Sequence, residues 1–491
     1  MPSNIKSLAQ GTIIYGFANV SIKLIGIILI PIYTNYDYLS KSDFGVLGII
    51  DITFQVTVII FGLSLAQSLA RWYFDPEHNH AQKSMFFTVT MINVIICVVS
   101  FALIFIFSAH ISQLLFKTSQ YSKLIWIMFA GSSVNIISGT SMMLLRLQEK
   151  AIRYSTVSIS KLFITLLLTI LFVVSFHKSV LGVYQAILIG EVSGFLMLLP
   201  FILKNAEIKF EYARLVQMLK YGLPLMLASV STVLLNTFDR YTLNYLTNLD
   251  VVGTYTLGFR IANTIKVVVI TSIQLSLIPI LFKKIGDPDH KSFIAKSMNY
   301  SAFLVMLIIV FLSEFSLEIV KVLASNRSYW EAANIIPILS FAMIFVIMKE
   351  NVLIGLQITK SSTTMGVLIA ITALFNLGLN VLLIPVFGIY GASVSTLVSQ
   401  MLMFILFYYV AQKHFAVPYE MRNLLKLIFT GIALFLVSLV SKDWTLVYRL
   451  VFKTFLILLF PIILIIFRFF ESYELDYMKS VVMKYKRKIF K

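Results

Sequence analysis

Ionisable side chains inside long apolar stretches are the residues of this sequence best suited to chemistry. The bases at depth are Lys23, Arg260, Lys266 and Lys349, and the acids are Asp51, Glu191 and Glu350. A charge near the centre of a bilayer costs about 2.5–3.5 kcal/mol on insertion scales, so each needs a partner or a water-filled cavity. Two interpretations stay open. Either each base neutralises an acid between packed helices, or the bases form a cationic cavity for an anion such as a diphosphate.

Signals for catalysis are weak. The six histidines are scattered over loops, and no cluster of Cys, His and carboxylates has the spacing of a metal site. The sequence has no nucleotide-binding loop of the Walker type, and the predicted outer loops are too short to form a catalytic domain. We therefore predict that the protein is not an enzyme, with no catalytic residues, no metal and no cofactor.

The elements that position these charges are apolar spans. Of the 491 residues, 59% are hydrophobic and 13% charged, and the apolar residues recur in stretches of about twenty, which is the length that crosses a bilayer. The sequence predicts an all-α polytopic membrane protein with about 14 transmembrane helices. The predicted spans are 12–34, 44–70, 85–109, 122–145, 156–176, 181–203, 221–246, 250–282, 298–324, 333–356, 362–384, 386–412, 424–440 and 445–469.

The distribution of basic residues predicts the orientation. The net charge of +18 would suggest nucleic acid in a soluble chain, but cytoplasmic loops of membrane proteins collect Lys and Arg. With the N-terminus inside, cytoplasmic segments hold 25 of the 40 basic residues and outer loops hold 7. Both termini are therefore predicted to be cytoplasmic. The tail at 479–491 has six bases and no acid, which predicts contact with anionic membrane lipids and not with nucleic acid.

Three sequence anchors recur at nearly one offset and indicate an internal repeat. Tyr38-Leu39 recurs as Tyr245-Leu246, Gly182-Val183-Tyr184 as Gly388-Ile389-Tyr390, and Leu147-Gln148 as Leu356-Gln357. A unit of six helices repeated in parallel packs around an axis along the membrane normal, which suits alternating access. We predict an N-terminal lobe at 1–203, a C-terminal lobe at 204–412, two additional helices at 413–469 and a basic cytoplasmic tail at 470–491.

Other residues in the spans have more ordinary interpretations. Pro31 and Pro224 fall in equivalent helices of the two repeats, where a bend at a gate is predicted beside ordinary helix packing. Asp239 and Arg240 are predicted as a gate or a structural pair. Lys161 is predicted to snorkel to the inner surface. Arg449 and Lys453, which lie outside the repeat, are predicted to sit at the lipid interface.

The chain also resembles a known family. Asp43-Phe44-Gly45, Tyr221-Gly222-Leu223-Pro224, Asp239-Arg240-Tyr241 and Val252-Gly253-Thr254-Tyr255 are similar to motifs of the polysaccharide-transporter branch of the multidrug/oligosaccharidyl-lipid/polysaccharide exporter superfamily. Within that branch the resemblance is to O-antigen and capsule repeat-unit flippases of the Wzx type.

The resemblance implies a carrier of undecaprenyl-diphosphate-linked oligosaccharide, working in polysaccharide and lipopolysaccharide biosynthesis at the bacterial cytoplasmic (inner) membrane. Helices 1, 2, 7 and 8 would line a cleft in which Lys23, Arg260 and Lys266 hold the diphosphate. Helix 2 offers Asp51 in place of a cation, and Asp51, Glu191 and Glu350 are the acids available for ion coupling. A polysaccharide polymerase and chain-length machinery are the implied protein partners.

Three rival functions fit parts of the sequence. A cation-coupled multidrug antiporter of the same superfamily would favour acids near the midplane, where this chain has more bases. A membrane polysaccharide polymerase or ligase would be expected to have a long outer loop. A non-transporting scaffold is the third.

Overall fold

The computed structural model describes residues 26–75, 81–283, 285, 287–359 and 361–471, and the regular structure in these ranges is helical. We use inner and outer in the sense that the charge distribution predicts. The helices are α1 (Ile30–Tyr33), α2 (Lys41–Gly62), α3 (Leu65–Trp72), α4 (Gln82–Phe116), α5 (Ser122–Leu147), α6 (Ala151–Ile170), α7 (Ser179–Asn205), α8 (Tyr212–Leu246), α9 (Leu249–Thr264), α10 (Thr271–Lys283), α11 (His290–Glu314), α12 (Ser316–Leu323), α13 (Ala332–Ile358), α14 (Ser362–His414), α15 (Met421–Ser438) and α16 (Leu446–Ile466). Two π-helical segments, Leu171–Ser175 and Ile265–Ile270, continue α6 and join α9 to α10.

Twelve helices in the described part of the chain are long and apolar enough to cross a membrane. One of them, α14, contains two spans, because Gly388 interrupts it with φ 54° and ψ −127°. Asn376 also donates a hydrogen bond to Ser399 over 3.1 Å, which brings together residues 23 positions apart. The prediction of an all-α polytopic membrane protein is confirmed. The reversal predicted near residue 385 lies at Gly388, and most of the first predicted span (12–34) lies outside the described residues.

The second predicted span was wrong as a single helix over 44–70. The chain breaks between α2 and α3 at Leu63 and Ser64, which have positive φ values of 47° and 50°. After the break, Leu65 and Leu69 are fully buried and share a core with Met218 of α8. The sequence does not predict this break, because the apolar periodicity continues through it. The change in chain direction accompanies the packing of α3 on α8.

Two glycines bring α2 and α9 into backbone contact near their outer ends. A Cβ on Gly45 would lie 2.0 Å from the carbonyl oxygen of Leu249, and one on Gly253 would lie 2.4 Å from the carbonyl oxygen of Lys41. Small residues allow such an approach between membrane helices. Gly45 and Gly253 are 208 positions apart, and so are Lys41 and Leu249. This spacing is close to the offset of the repeat. The crossing is therefore reciprocal, as packing around a pseudo-twofold axis requires.

Near the outer side one apolar core is shared by helices of both predicted lobes, whereas toward the inner side the apolar residues form separate cores. One apolar core joins α1, α2, α5 and α7 to α9, α12 and α13 near the outer side. There Thr34 donates to the carbonyl of Leu323 over 3.2 Å, and Lys41 donates to the carbonyl of Ser328 over 2.9 Å. Toward the inner side the apolar residues form separate cores, one around α3, α4 and α7 and another around α11, α13 and α15. The beginning of α8 packs on the first of them.

Candidate functional site

Exposed polar side chains at mid-span indicate a polar cleft between the two predicted lobes. Only 17% of the most apolar stretch of α8 is buried, against 78% for the span that contains α13. Thr232 of α8, Ser272 of α10 and Gln55 of α2 are exposed in the middle parts of their spans. Polar groups at this depth are stable where they line a water-filled space. We call this space the cleft.

Arg260 and Asp51 form an ion pair across the cleft. The Arg260 guanidinium on α9 lies 2.5 Å from an Asp51 carboxylate oxygen on α2. Tyr184 donates to the other oxygen of Asp51 over 2.7 Å, and the guanidinium lies 5.2 Å from the ring centre of Phe44. The Asp51 side chain is nevertheless 38% exposed. This pair therefore joins the two predicted lobes while staying open to the cleft.

A second group of charges lies further inward. Lys266 falls in the π-helical segment after α9, and its ammonium group lies 3.5 Å from the amide oxygen of Asn236 on α8. Lys349 pairs with the neighbouring Glu350 on α13, and Gln274 and Lys266 also interact with that carboxylate. π-Helical segments occur often at functional sites, and this one begins five residues after Arg260 and contains Lys266.

These contacts support both interpretations of the deep charges, neutralised pairs and a cationic cavity, each in part. Arg260 and Lys349 each have a carboxylate partner, as the interpretation of neutralised pairs predicts. The cleft group of Arg260, Lys266, Lys349, Asp51 and Glu350 still has three bases for two acids. Lys23 lies outside the described residues. Within the described ranges the cleft therefore keeps a formal excess of one positive charge.

Glu191 stands apart from this group. It lies on α7, where it accepts hydrogen bonds from Lys161 of α6 over 2.8 Å and from Asn135 of α5 over 3.0 Å. The prediction that Lys161 snorkels to the surface was wrong, because the buried Glu191 carboxylate holds its ammonium group inside the N-terminal lobe. The sequence placed both residues inside predicted spans but did not pair them.

Asp239 and Arg240 are buried where α8 faces α9 and α14. The Asp239 carboxylate accepts hydrogen bonds from the backbone N–H of Arg240 and from the hydroxyl of Tyr255. The Arg240 guanidinium stacks on Phe259, 4.1 Å from its ring centre. The role of the two residues as a gate or a structural pair stays a prediction.

The two prolines of the predicted gate lie at different levels. Pro31 is exposed in the first turn of α1. Pro224 is exposed inside α8, two residues after Gly222, where a Cβ would lie 2.5 Å from the carbonyl oxygen of Leu63. Pro224 therefore sits beside the break between α2 and α3, where the inner part of α8 meets the N-terminal lobe. Their role as a gate stays a prediction.

Arg449 and Lys453 correct another prediction. Instead of lying at the lipid interface, both are buried on α16 and bind the carboxylate of Glu318 on α12, over 2.7 Å and 2.9 Å. Glu314, at the end of α11, is also buried nearby. Glu314 and Glu318 are visible in the sequence, but the hydropathy pattern does not predict that the bases of α16 face α12.

A cavity that the sequence did not predict lies toward the inner side of the predicted N-terminal lobe. It has a volume of ≈ 250 Å³ and lies between α2, α3, α4 and α5, with Ser229 of α8 at one side. Asn93, Asn135 and Thr140 contribute amide and hydroxyl groups to its wall. The signal was present in the sequence, since these polar residues interrupt two otherwise apolar spans. Among the described residues, no three His, Cys, Asp or Glu side chains come together as metal ligands.

Known structures share this architecture. The lipid II flippase MurJ, in an inward closed conformation, superposes with a TM-score of 0.75 at 15% identity, covering 92% of this chain and 98% of that chain. A multidrug resistance MATE family transporter of the MOP superfamily, in an inward-facing conformation, gives a TM-score of 0.66 at 12% identity, covering 81% of this chain and 97% of the other. At these identities the likeness shows the fold.

Similarity in sequence identifies the family of the chain. An uncharacterized membrane protein of Methanocaldococcus jannaschii is 26% identical over 400 residues, which are 74% of this chain and 76% of that protein. A family model described as "Polysaccharide biosynthesis protein" matches residues 8–285, more than half of the chain. That stretch includes Asp51, Arg260, Lys266 and the whole cavity of the N-terminal lobe. The chain therefore belongs to this family of polysaccharide biosynthesis proteins.

Proposed function

We propose that the protein is a flippase that moves undecaprenyl-diphosphate-linked oligosaccharide from the inner to the outer leaflet of the bacterial cytoplasmic membrane, with both termini in the cytoplasm. The observation that carries the proposal is the position of Arg260 and Lys266. Both lie on one span beside a polar cleft, and the partner carboxylate of Arg260 is more than one-third exposed. A diphosphate that enters the cleft can therefore reach the guanidinium.

The ion pair between Arg260 and Asp51 gives the proposal a mechanism. At about 4 Å and an effective dielectric near 20, each phosphate–cation contact contributes roughly 4 kcal/mol before desolvation. A diphosphate carries more charge than one carboxylate and offers several acceptor oxygens to the planar guanidinium. It would displace Asp51 and so remove a contact that holds the lobes together near the outer side. The empty carrier then stays closed outward, and the loaded carrier opens.

Lys266 and the pair of Lys349 with Glu350 would hold the second phosphate. Lys266 lies six residues after Arg260, about 9 Å along the span at the rise of a regular helix. Lys266 itself lies in the π-helical segment, which begins at Ile265. Lys23, on the first predicted span, would complete the group. Asp51, Glu191 and Glu350 stay the candidates for ion coupling.

Two similarities support the proposed substrate class. The family is described by polysaccharide biosynthesis, and one protein of similar fold is titled a lipid II flippase. We extend the proposal to the partners on the same basis: anionic lipids at the basic tail, and a polysaccharide polymerase with chain-length machinery, for O-antigen or capsule.

Multidrug antiport is the second candidate, because transporters titled as multidrug resistance proteins share the fold. A cationic drug needs an available acid, and both acids of the cleft group already bind a base. The excess of one positive charge in the described cleft favours an anionic substrate.

Reconstitution tests the proposal. The purified protein is placed in vesicles of phosphatidylethanolamine and phosphatidylglycerol with radiolabelled undecaprenyl diphosphate carrying one N-acetylhexosamine. A membrane-impermeant enzyme that cleaves the diphosphate then reports the rate at which probe shielded in the inner leaflet becomes cleavable. We expect the probe to become cleavable faster with the wild-type protein than in protein-free vesicles. With the Arg260→Ala/Lys266→Ala variant the rate should fall to that of protein-free vesicles. Wild-type vesicles that match protein-free vesicles but expel a cationic dye would reject the flippase in favour of the antiporter.

A further inference from the structure

We propose that the cavity in the N-terminal lobe binds the sugar nearest to the diphosphate of the transported lipid. This inference rests on the proposed function and adds a specificity site to it. No residue of the cavity belongs to the charged group in the cleft, so the two sites can be disabled separately.

The chemistry of the wall fits a neutral ligand that makes hydrogen bonds. Asn93, Asn135, Thr140 and Gln67 offer amide and hydroxyl groups, and Arg146 is the one charged residue among the lining residues. None of the described residues that line the cavity is acidic, so a cationic drug would find no counter-charge among them. One cation at the rim is also a poor match for a diphosphate. Neutral sugars carry many hydroxyl groups, which this wall can pair.

Hydrogen bonds to neighbouring side chains fix the amides of Asn93 and Asn135. Asn135 donates its amide N–H to Glu191, which leaves its amide oxygen as the acceptor available on that side chain. Asn93 donates to Thr140 over 3.0 Å, and its own oxygen has no hydrogen-bond partner among the described residues. A buried acceptor without a partner costs about 1–3 kcal/mol unless a ligand or water satisfies it. Asn135 therefore offers an acceptor to the wall, and Asn93 keeps a buried acceptor that the fold itself does not use.

The size of the cavity limits the ligand to a small one. At ≈ 250 Å³ it lies below the roughly 300–1,000 Å³ of sites for drug-sized molecules. It suits one pyranose ring with its substituents and leaves the rest of an oligosaccharide outside. Gly139 forms part of the wall, and a Cβ built there has no heavy atom within 4 Å. The open side gives the remaining sugars a way out.

The position of the cavity matches the chemistry of the substrate. Ser229 lines it, and Asn236, seven residues further along α8, contacts Lys266. Seven residues are two helical turns, so the two side chains lie on one face about 10 Å apart. A diphosphate at Lys266 would therefore place its attached sugar within reach of the cavity.

A comparison of two lipid probes tests the inference. The vesicle assay is run with undecaprenyl diphosphate alone and with the same lipid carrying one N-acetylhexosamine. We expect the wild type to move the sugar-bearing probe faster. The Gly139→Leu variant, whose side chain fills the cavity, should lose roughly tenfold in that preference while still moving the bare lipid. Gly378→Leu is the matched control, because Gly378 is exposed on α14 and also has nothing within 4 Å of a built Cβ.

The outcomes separate this inference from the proposed function. If the wild type moves neither probe, the flippase itself is rejected. If the wild type moves both and Gly139→Leu keeps the sugar preference, the cavity is not the sugar site, although the flippase stands. Gln67→Leu is the second variant, to be used if Gly139→Leu does not fold. Gln67 is exposed at the opening of the cavity, and its substitution removes an amide without filling the cavity. An unchanged preference in Gln67→Leu, with Gly139→Leu unfolded, would likewise overturn the inference.

Discussion

Two groups of charges inside the membrane spans differ in how completely they are closed. At the outer end of α16, Glu318 binds both Arg449 and Lys453, and the three side chains are between 7% and 11% exposed. In the cleft, Arg260 binds Asp51, but that acid is 38% exposed and the pair joins two predicted lobes. The first group fixes the last helix to the body. The second group can exchange its acid for a ligand.

Depth in an apolar stretch is therefore not enough to identify a binding site. Both groups place charges where insertion is costly, and the sequence shows them in the same way. Access from the cleft and contact between the lobes distinguish them, and both properties are tertiary. The following changes test this difference, from the largest expected effect to the smallest.

Removal of Glu318 should be the most damaging change. Glu318→Ala leaves two buried cations without their acid, and breaking a buried pair in this way costs about 3–5 kcal/mol. We expect a lower thermal midpoint and little monodisperse protein in detergent. The triple variant Glu318→Leu/Arg449→Met/Lys453→Met should recover most of the stability, because it removes the two cations together with the acid that binds them. A stable Glu318→Ala protein would remove the contrast between the two groups.

A methyl group at Gly253 should weaken the outer seal. The new Cβ would lie 2.4 Å from the Lys41 carbonyl oxygen, and overpacking of this kind costs about 1–3 kcal/mol. In Gly253→Ala, a cysteine introduced at Thr53, which contacts Tyr241 across the lobes, should react faster with an impermeant maleimide from the outer side. Gly378→Ala is the control, and equal reactivity in the two variants would argue against a seal at this crossing.

Arg260→Ala should affect transport more than folding. The change removes the cation that the diphosphate needs, and we expect roughly a tenfold loss of flipping in the vesicle assay. Since Asp51 is partly exposed, it can be solvated without its partner, and the thermal midpoint should fall less than in Glu318→Ala. A loss of stability as large as that of Glu318→Ala would mean that the cleft pair is structural.

Neutralising Glu350 should have the smallest effect. Glu350→Gln leaves Lys349, whose side chain is 12% exposed, next to a residue that still accepts a hydrogen bond, so the loss of stability should stay below that of Glu318→Ala. Transport of the bare lipid should stay within roughly threefold of the wild type. Complete loss of transport in this variant would instead identify Glu350 as an ion-coupling residue.

The sequence predicted the spans well because bilayer thickness fixes their length. It also placed Arg260, Asp51 and Lys349 at depth, since depth follows from position along a helix. It could not pair Lys161 with Glu191, or Arg449 and Lys453 with Glu318, because those partners lie on other helices whose rotation is set by packing. The break at Leu63 and Ser64 was hidden for the same reason. The cavity around Asn93 and Asn135 arises from the space between four helices, which no single span reveals.

The central claim is that a lipid diphosphate takes Arg260 from Asp51 and so releases the outer contact. The most direct test is the distance between spin labels at Tyr36 and Val322, two exposed outer positions on opposite sides of the contact from Thr34 to Leu323. Cys97 is buried at 3% exposure and should not take up label. The account predicts that undecaprenyl diphosphate lengthens this distance in the otherwise wild-type protein and leaves it unchanged in Arg260→Ala. No change in the first protein, or the same change in both, would contradict it.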